Sequence, residues 1–146
     1  MLENNVLIAS LVSWMAAQAL KVAGGVIRHR RFSFRWVMST GGMPSAHSAG
    51  VSALATGVGL TSGFSTPLFA VAFAFAMVTM FDAQGVRRSA GQQAKILNAV
   101  MEDIYFGRPV PQERMRELLG HTPVEVFVGG AIGVCLAALL CLKVLV

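Results

Sequence analysis

Two histidines in this chain stand in settings where they could do chemistry. His47 ends the run Gly41-Gly42-Met43-Pro44-Ser45-Ala46-His47, and His121 stands four residues before Glu125. A Gly-rich turn that feeds a helix start offers unpaired N–H groups, and the helix dipole there favours an anion. Ser45 can cap that helix or donate to a phosphate oxygen. His47, in the first turn, can give or take a proton near neutral pH. Four residues make about one helical turn, so the Glu125 carboxylate can reach the His121 imidazole and orient it. Thr122-x-x-Glu125 is also a capping box, and one glutamate can serve both roles.

Cations accompany both histidines. Lys21 and Arg28 are seven residues apart, about two helical turns, so both can project from one face. As a bland alternative, both are interfacial cations whose heads reach toward water. Arg87 and Arg88 follow Asp82 at the end of an apolar run. Guanidinium groups bind phosphate oxygens in bidentate fashion, and Asp82 could hold one of them by an ion pair. The bland reading here is a stop-transfer flank. Gln92, Gln93 and Asn98 could add polar contacts. Carboxylates are few, and no cluster has metal-ligand spacing, so neither a metal nor another cofactor is expected. No paired acids, no GxSxG and no phosphate loop ending in GK[ST] occur. Cation-rich, two-histidine chemistry suits phosphoryl transfer to water. One histidine attacks phosphorus, the other protonates the leaving oxygen, and cations stabilise the equatorial oxygens.

The elements that must position these groups are membrane helices. The chain has 146 residues, of which 55% are hydrophobic and 13% charged. Mean hydropathy is +0.64. These values exclude a soluble globular domain and a disordered chain, and they fit one small integral membrane domain, residues 1–146. Punctuation divides the apolar runs into about four transmembrane helices. The first runs from Val6 past Lys21 to Ile27, capped by Asn4 or Asn5, and is read as retained rather than as a cleaved signal. The others lie near 45–61, 67–82 (with Thr66 as cap and Pro67 at the first position) and 123–142. The polar segment 83–121 is expected to hold interfacial helices over 92–104 and 111–119. The fold class is thus an all-α membrane bundle. Cys135 and Cys141, both in the last apolar run, read as small apolar residues with no disulfide.

Net charge is +5. The cations lie between apolar runs and without aromatic interleaving, so anionic lipid is the expected partner and nucleic acid is not. Eleven of the twelve Lys and Arg residues fall on one side of a four-span arrangement; Lys143 is the exception. The positive-inside rule makes that side cytoplasmic and puts both termini outside. The expected location is the bacterial inner (plasma) membrane. The Gly129-x3-Gly133 spacing and the short spans allow a homodimer.

In order along the chain, Lys21-x6-Arg28, Pro44-Ser45-Ala46-His47 and His121-x3-Glu125 resemble the three signatures of type 2 phosphatidic acid phosphatases. That superfamily includes the vanadium haloperoxidases. The strings Ala17-Gln18-Ala19-Leu20-Lys21, Gly41 to Ser48, Asp82 to Gly91 and Leu119 to Glu125 look like its divergent branch of small membrane proteins. The resemblance spans roughly residues 5–140. It implies that Lys21, Arg28, Ser45 and one of Arg87 or Arg88 bind phosphate, with Gly42 and Asp82 in support. It implies further that His47 is the general acid, His121 the nucleophile and Glu125 its orienting partner. The chain departs from the signatures at several points. His29 follows Arg28 where the signature has Pro, Ala46 stands for the usual Gly, and Glu125 stands for Asp. The Arg87-Arg88 pair precedes His121 by over thirty residues rather than closely.

The leading expectation is a metal-independent lipid phosphate phosphatase acting on a polyprenyl (di)phosphate or a phosphatidic acid type of lipid. The alternative is a non-catalytic membrane protein that binds or translocates anionic lipids. A purely structural subunit, packed through Gly50, Gly57, Gly129 and Gly133, ranks third because it leaves the histidine clusters unexplained. Haloperoxidase activity belongs to a distinct soluble branch and is not expected.

Overall fold

Four of the five helices among the described residues begin where a short polar side chain closes the first turn. The computed structural model describes residues 4–32, 34, 42–105 and 121–145. It contains α1 (Asn5–His29), α2 (Ala46–Ser62), α3 (Pro67–Gln84), α4 (Val86–Tyr105) and α5 (Pro123–Leu145), with no strand among the described residues. Asn4, not Asn5, caps α1, accepting the Leu7 N–H at 3.0 Å. Ser45 and Thr66 cap α2 and α3 in the same way, and Pro67 opens α3. Arg30, in the left-handed conformation, ends α1. Gly63, with φ of +97°, makes the turn between α2 and α3 that a side chain would strain.

One expectation is met in part and another needs correction. The sequence predicts about four spans; among the described residues three helices are long and apolar enough to cross a membrane: Asn5–His29, Pro67–Gln84 and Pro123–Leu142. The helix that differs is α2, at 17 residues and rich in Gly, Ala and Ser. It is the interior helix, packed against α1, α3 and α5. The helix expected over 92–104 in fact starts at Val86, because the single residue Gly85 separates it from α3. The helix expected over 111–119 lies outside the described residues.

Close approach of small residues holds the bundle together. At α2–α5, a Cβ on Gly129 would collide with the Ser45 carbonyl oxygen, and one on Gly133 with that of Ala49. At α1–α2, the Ser10 hydroxyl donates to the Gly50 carbonyl at 2.9 Å. Ala9, Ala53, Ala137 and Cys141 form a core cluster. In lipid the drive for helices to associate is close packing rather than escape from water, which selects such residues. The Gly129-x3-Gly133 face that the sequence offers to a second copy is therefore filled by α2 of the same chain. Large apolar side chains such as Leu11, Val71, Phe73 and Phe127 face outward.

The helices alternate in direction. Near the end of α1, Lys21 packs on Gly42 just before α2, and the last turn of α3 accepts a bond from His121, two residues before α5. At the other end, a Cβ on Gly57 of α2 would meet Val6 of α1 at 3.0 Å and Cys141 of α5 at 3.5 Å. One end of the bundle thus collects two helix starts and two helix ends.

Candidate functional site

The start of α5 shows that Glu125 does serve both roles. Its Oε2 accepts from the Thr122 backbone N–H at 3.2 Å, while the Thr122 hydroxyl accepts the Glu125 N–H at 3.4 Å. The same Oε2 lies 2.9 Å from His121 Nδ1. An ionised carboxylate only accepts, so Nδ1 carries the proton in this contact. In the neutral ring Nε2 then presents a lone pair. His121 is 2% exposed, and its Nε2 has no hydrogen-bond partner among the described residues. A buried polar atom without a partner costs free energy, so it calls for an explanation.

Backbone contacts fix this turn in the bundle. The His121 N–H donates to the Ala83 carbonyl of α3 at 2.9 Å. The Ser45 N–H donates to the Glu125 carbonyl at 3.0 Å, so the N-cap of α2 rests directly on the first turn of α5. Gly129 allows that approach, since any side chain there would strike the Ser45 backbone. The Ser45 hydroxyl, fully buried, accepts from the Ser48 hydroxyl at 2.9 Å and from the Ser48 N–H at 3.4 Å. Lys21 is 9% exposed. Its stem runs beside Gly42, where a Cβ would lie 3.6 Å from Lys21 Cγ, and its charge is close enough to interact with Glu125. Gly42 itself has φ of +95°. Lys21, Gly42, Ser45, His121 and Glu125 therefore gather at one end of the bundle, from four separate stretches of chain. An ammonium, two helix starts and a histidine lone pair there could hold an anion and attack it. Among the described residues no three His, Cys, Asp or Glu side chains converge as metal ligands.

The Divergent PAP2 family matches residues 2–136. The chain belongs to that family. The uncharacterized membrane protein YuiD of Bacillus subtilis (strain 168) is 45% identical over 153 aligned positions, which cover 96% of each chain. No solved structure matches the chain. The Divergent PAP2 match takes in every residue of the cluster, from Lys21 to Glu125.

The remaining candidates of this Divergent PAP2 protein are less enclosed. Arg28 is exposed in the last turn of α1, so it does not share the burial of Lys21. His47 is exposed in the first turn of α2 and has a polar partner of its own. Asp82, half-buried in the last turns of α3, likewise has a partner. Arg87 and Arg88 fall in the first turn of α4, close in sequence to Ala83; their side chains lie outside the described residues. Two contributors are missing from the sequence reading, Ser48 and the Ala83 carbonyl, and Gly129 is read there only as a packing residue. Ser48 follows His47 directly, and its three-residue spacing from Ser45 is the available signal. The Ala83 carbonyl has no signal, since any residue would supply it.

Proposed function

We propose that this protein is a membrane lipid phosphate phosphatase working through a phospho-histidine, with His121 as nucleophile. The observation that carries the reading is the His121 ring: Nδ1 tied to Glu125 and Nε2 buried without a partner among the described residues. Nε2 attacks phosphorus, and the bond from phosphorus to the lipid oxygen breaks. His47, protonated, gives its proton to that oxygen, and the lipid alcohol leaves. Water then attacks the phospho-histidine, passing a proton back to His47, the N–P bond breaks, and inorganic phosphate departs. Lys21, Arg28, Ser45 and one of Arg87 or Arg88 neutralise the equatorial oxygens, with Gly42 and Asp82 in support. Glu125 stabilises the charge that develops on the His121 ring.

Membership of the Divergent PAP2 family supports this reading, as does the resemblance of the signatures. The substrate is a phosphorylated lipid of the polyprenyl phosphate or phosphatidic acid type. Topologically, α1 and α3 end at the site and α2 and α5 begin there, so α2 serves as a fourth crossing. Its 17 residues reach about 25 Å, a few ångströms short of a typical hydrocarbon core. The site then faces the cytoplasm of a bacterial inner membrane, with both termini outside.

Phosphate release over a panel of lipid phosphates tests the reading. Wild type should release phosphate without added metal and be inhibited by vanadate, and His121→Ala should fall to background. A folded wild type with no release on any lipid, indistinguishable from His121→Ala, overturns it. The second reading, a protein that binds or translocates anionic lipid without turnover, draws on the exposure of His47. It predicts lipid phosphate binding that survives His121→Ala.

A further inference from the structure

Arg28, Arg30 and Arg31 stand exposed at the end of α1, within four residues of one another. The sequence holds no Asp or Glu between Glu3 and Asp82, and among the described residues no carboxylate pairs with these arginines. The neighbouring chain therefore leaves their charge uncompensated. Large apolar side chains flank them, Ile27 before and Phe32 and Phe34 after, each 65% exposed or more.

The length of α1 sets the level of this cluster in the bilayer. The apolar run from Val6 to Ile27 covers about 33 Å of helix, close to a hydrocarbon thickness of about 30 Å. Arg28 thus begins where lipid phosphates begin. Arg30, with φ of 50°, then ends the helix in the left-handed region, where Gly is the usual residue. An arginine there accepts backbone strain that Gly would avoid, and it keeps another guanidinium at the same level. Guanidinium groups bind phosphate oxygens in bidentate fashion. A ligand that matches both parts has a phosphate of uncompensated negative charge with acyl chains starting beside it. That describes an anionic phospholipid. A zwitterionic lipid has the same phosphate, but its ammonium opposes the arginines.

We propose that the end of α1 is a binding site for an anionic phospholipid, with Arg30 and Arg31 on the headgroup phosphate and Phe32 and Phe34 against the upper acyl chains. Arg28 already lies about 10 Å along α1 from Lys21, and Arg30 and Arg31 lie beyond it, so this site is distinct from the His121 turn. It holds lipid as a ligand and needs no turnover.

Binding of phosphatidylglycerol and of phosphatidylcholine to the detergent-purified protein, counted by native mass spectrometry, tests this. Wild type should bind phosphatidylglycerol more tightly. Arg30→Gln combined with Arg31→Gln should weaken that binding by about fivefold for each arginine removed, with a smaller effect on phosphatidylcholine. Arg30→Lys combined with Arg31→Lys keeps the charge and should retain most of the preference, which separates loss of charge from loss of fold. Phe32→Ala combined with Phe34→Ala should weaken both lipids alike. Lys143→Gln, toward the far end of α5, should change neither. The preference should shrink at high salt and survive His121→Ala, so it is read apart from any hydrolysis. Inorganic phosphate should not compete. Equal binding of the two lipids, or a preference unchanged in the double glutamine variant, would mean that these arginines only orient the chain on insertion and would overturn the proposal. Competition by inorganic phosphate would reveal a site for free anions and overturn it as well.

Discussion

α2 and α3 are nearly equal in length and both are apolar, yet the bundle uses them in opposite ways. Ten of the 17 residues of α2 are buried, all of them Gly, Ala, Ser or Val. Only Ala72, Ala76 and Ala83 are buried among the 18 residues of α3, whose Leu68, Val71, Phe73, Phe75, Val78 and Phe81 face outward. In water the larger side chains would be inside. In lipid, outward-facing apolar groups cost nothing, and the interior goes to residues that let backbones touch. The candidate site follows the same division. Two of its hydrogen bonds between elements, from the Ser45 N–H to the Glu125 carbonyl and from the His121 N–H to the Ala83 carbonyl, are backbone contacts.

The most damaging change should therefore be a small one on the tight seam. Gly129→Val puts a branched side chain against the Ser45 backbone, which has no flexible end to yield. Destabilisation of about 3 kcal/mol is expected, with loss of lipid phosphate hydrolysis in whatever remains folded. Thermal unfolding in detergent measures the first and phosphate release the second. A Gly129→Val protein with wild-type melting and turnover would break the contrast between the two helices.

Glu125→Gln separates chemistry from packing on the same turn. Glutamine keeps the capping box, so the melting temperature should stay close to wild type. The oxygen that keeps the capping bond also keeps the Nδ1 proton in place, but the ring loses the charge of the carboxylate, and turnover should fall by about a hundredfold. Thr122→Ala does the reverse. It removes the hydroxyl that accepts the Glu125 N–H and should cost about 1 kcal/mol of stability, with a smaller effect on turnover because Glu125 keeps its contact with His121.

Much of this arrangement is legible in the sequence, for reasons that particular residues make plain. Helix starts carry their own caps, so Asn4, Ser45, Thr66 and Thr122 mark them to within a residue. The pairing of His121 with Glu125 follows from one turn of spacing. Depth does not follow from spacing: His47 and His121 look alike in the sequence, but one is exposed and the other buried. Nor does the identity of a packing partner. Gly129-x3-Gly133 announces close approach, but α2 and a second copy satisfy the pattern equally. The start of α4 is obscured because Asp82 to Gly91 is polar with two glycines and reads as a loop, although only Gly85 interrupts the helix. The interior role of α2 is hidden for a related reason. Its Gly, Ala and Ser residues leave it less apolar than α3 and α5, and it is a residue shorter than α3.

The smallest effect belongs to the outer face of α3. Val71 is 67% exposed and faces away from the bundle. Val71→Leu adds a methylene where the neighbouring medium is hydrocarbon, so nothing is overpacked and no polar group loses a partner. The change in stability should stay within about 0.5 kcal/mol, and turnover should be unchanged. Measured beside Gly129→Val, it asks whether an added carbon is judged by its polarity or by the backbone it meets. Equal melting shifts for the two variants would show that the interior is not selected for close approach, whereas a shift confined to Gly129→Val ties both the fold and the Ser45–Glu125 junction to the absence of one Cβ.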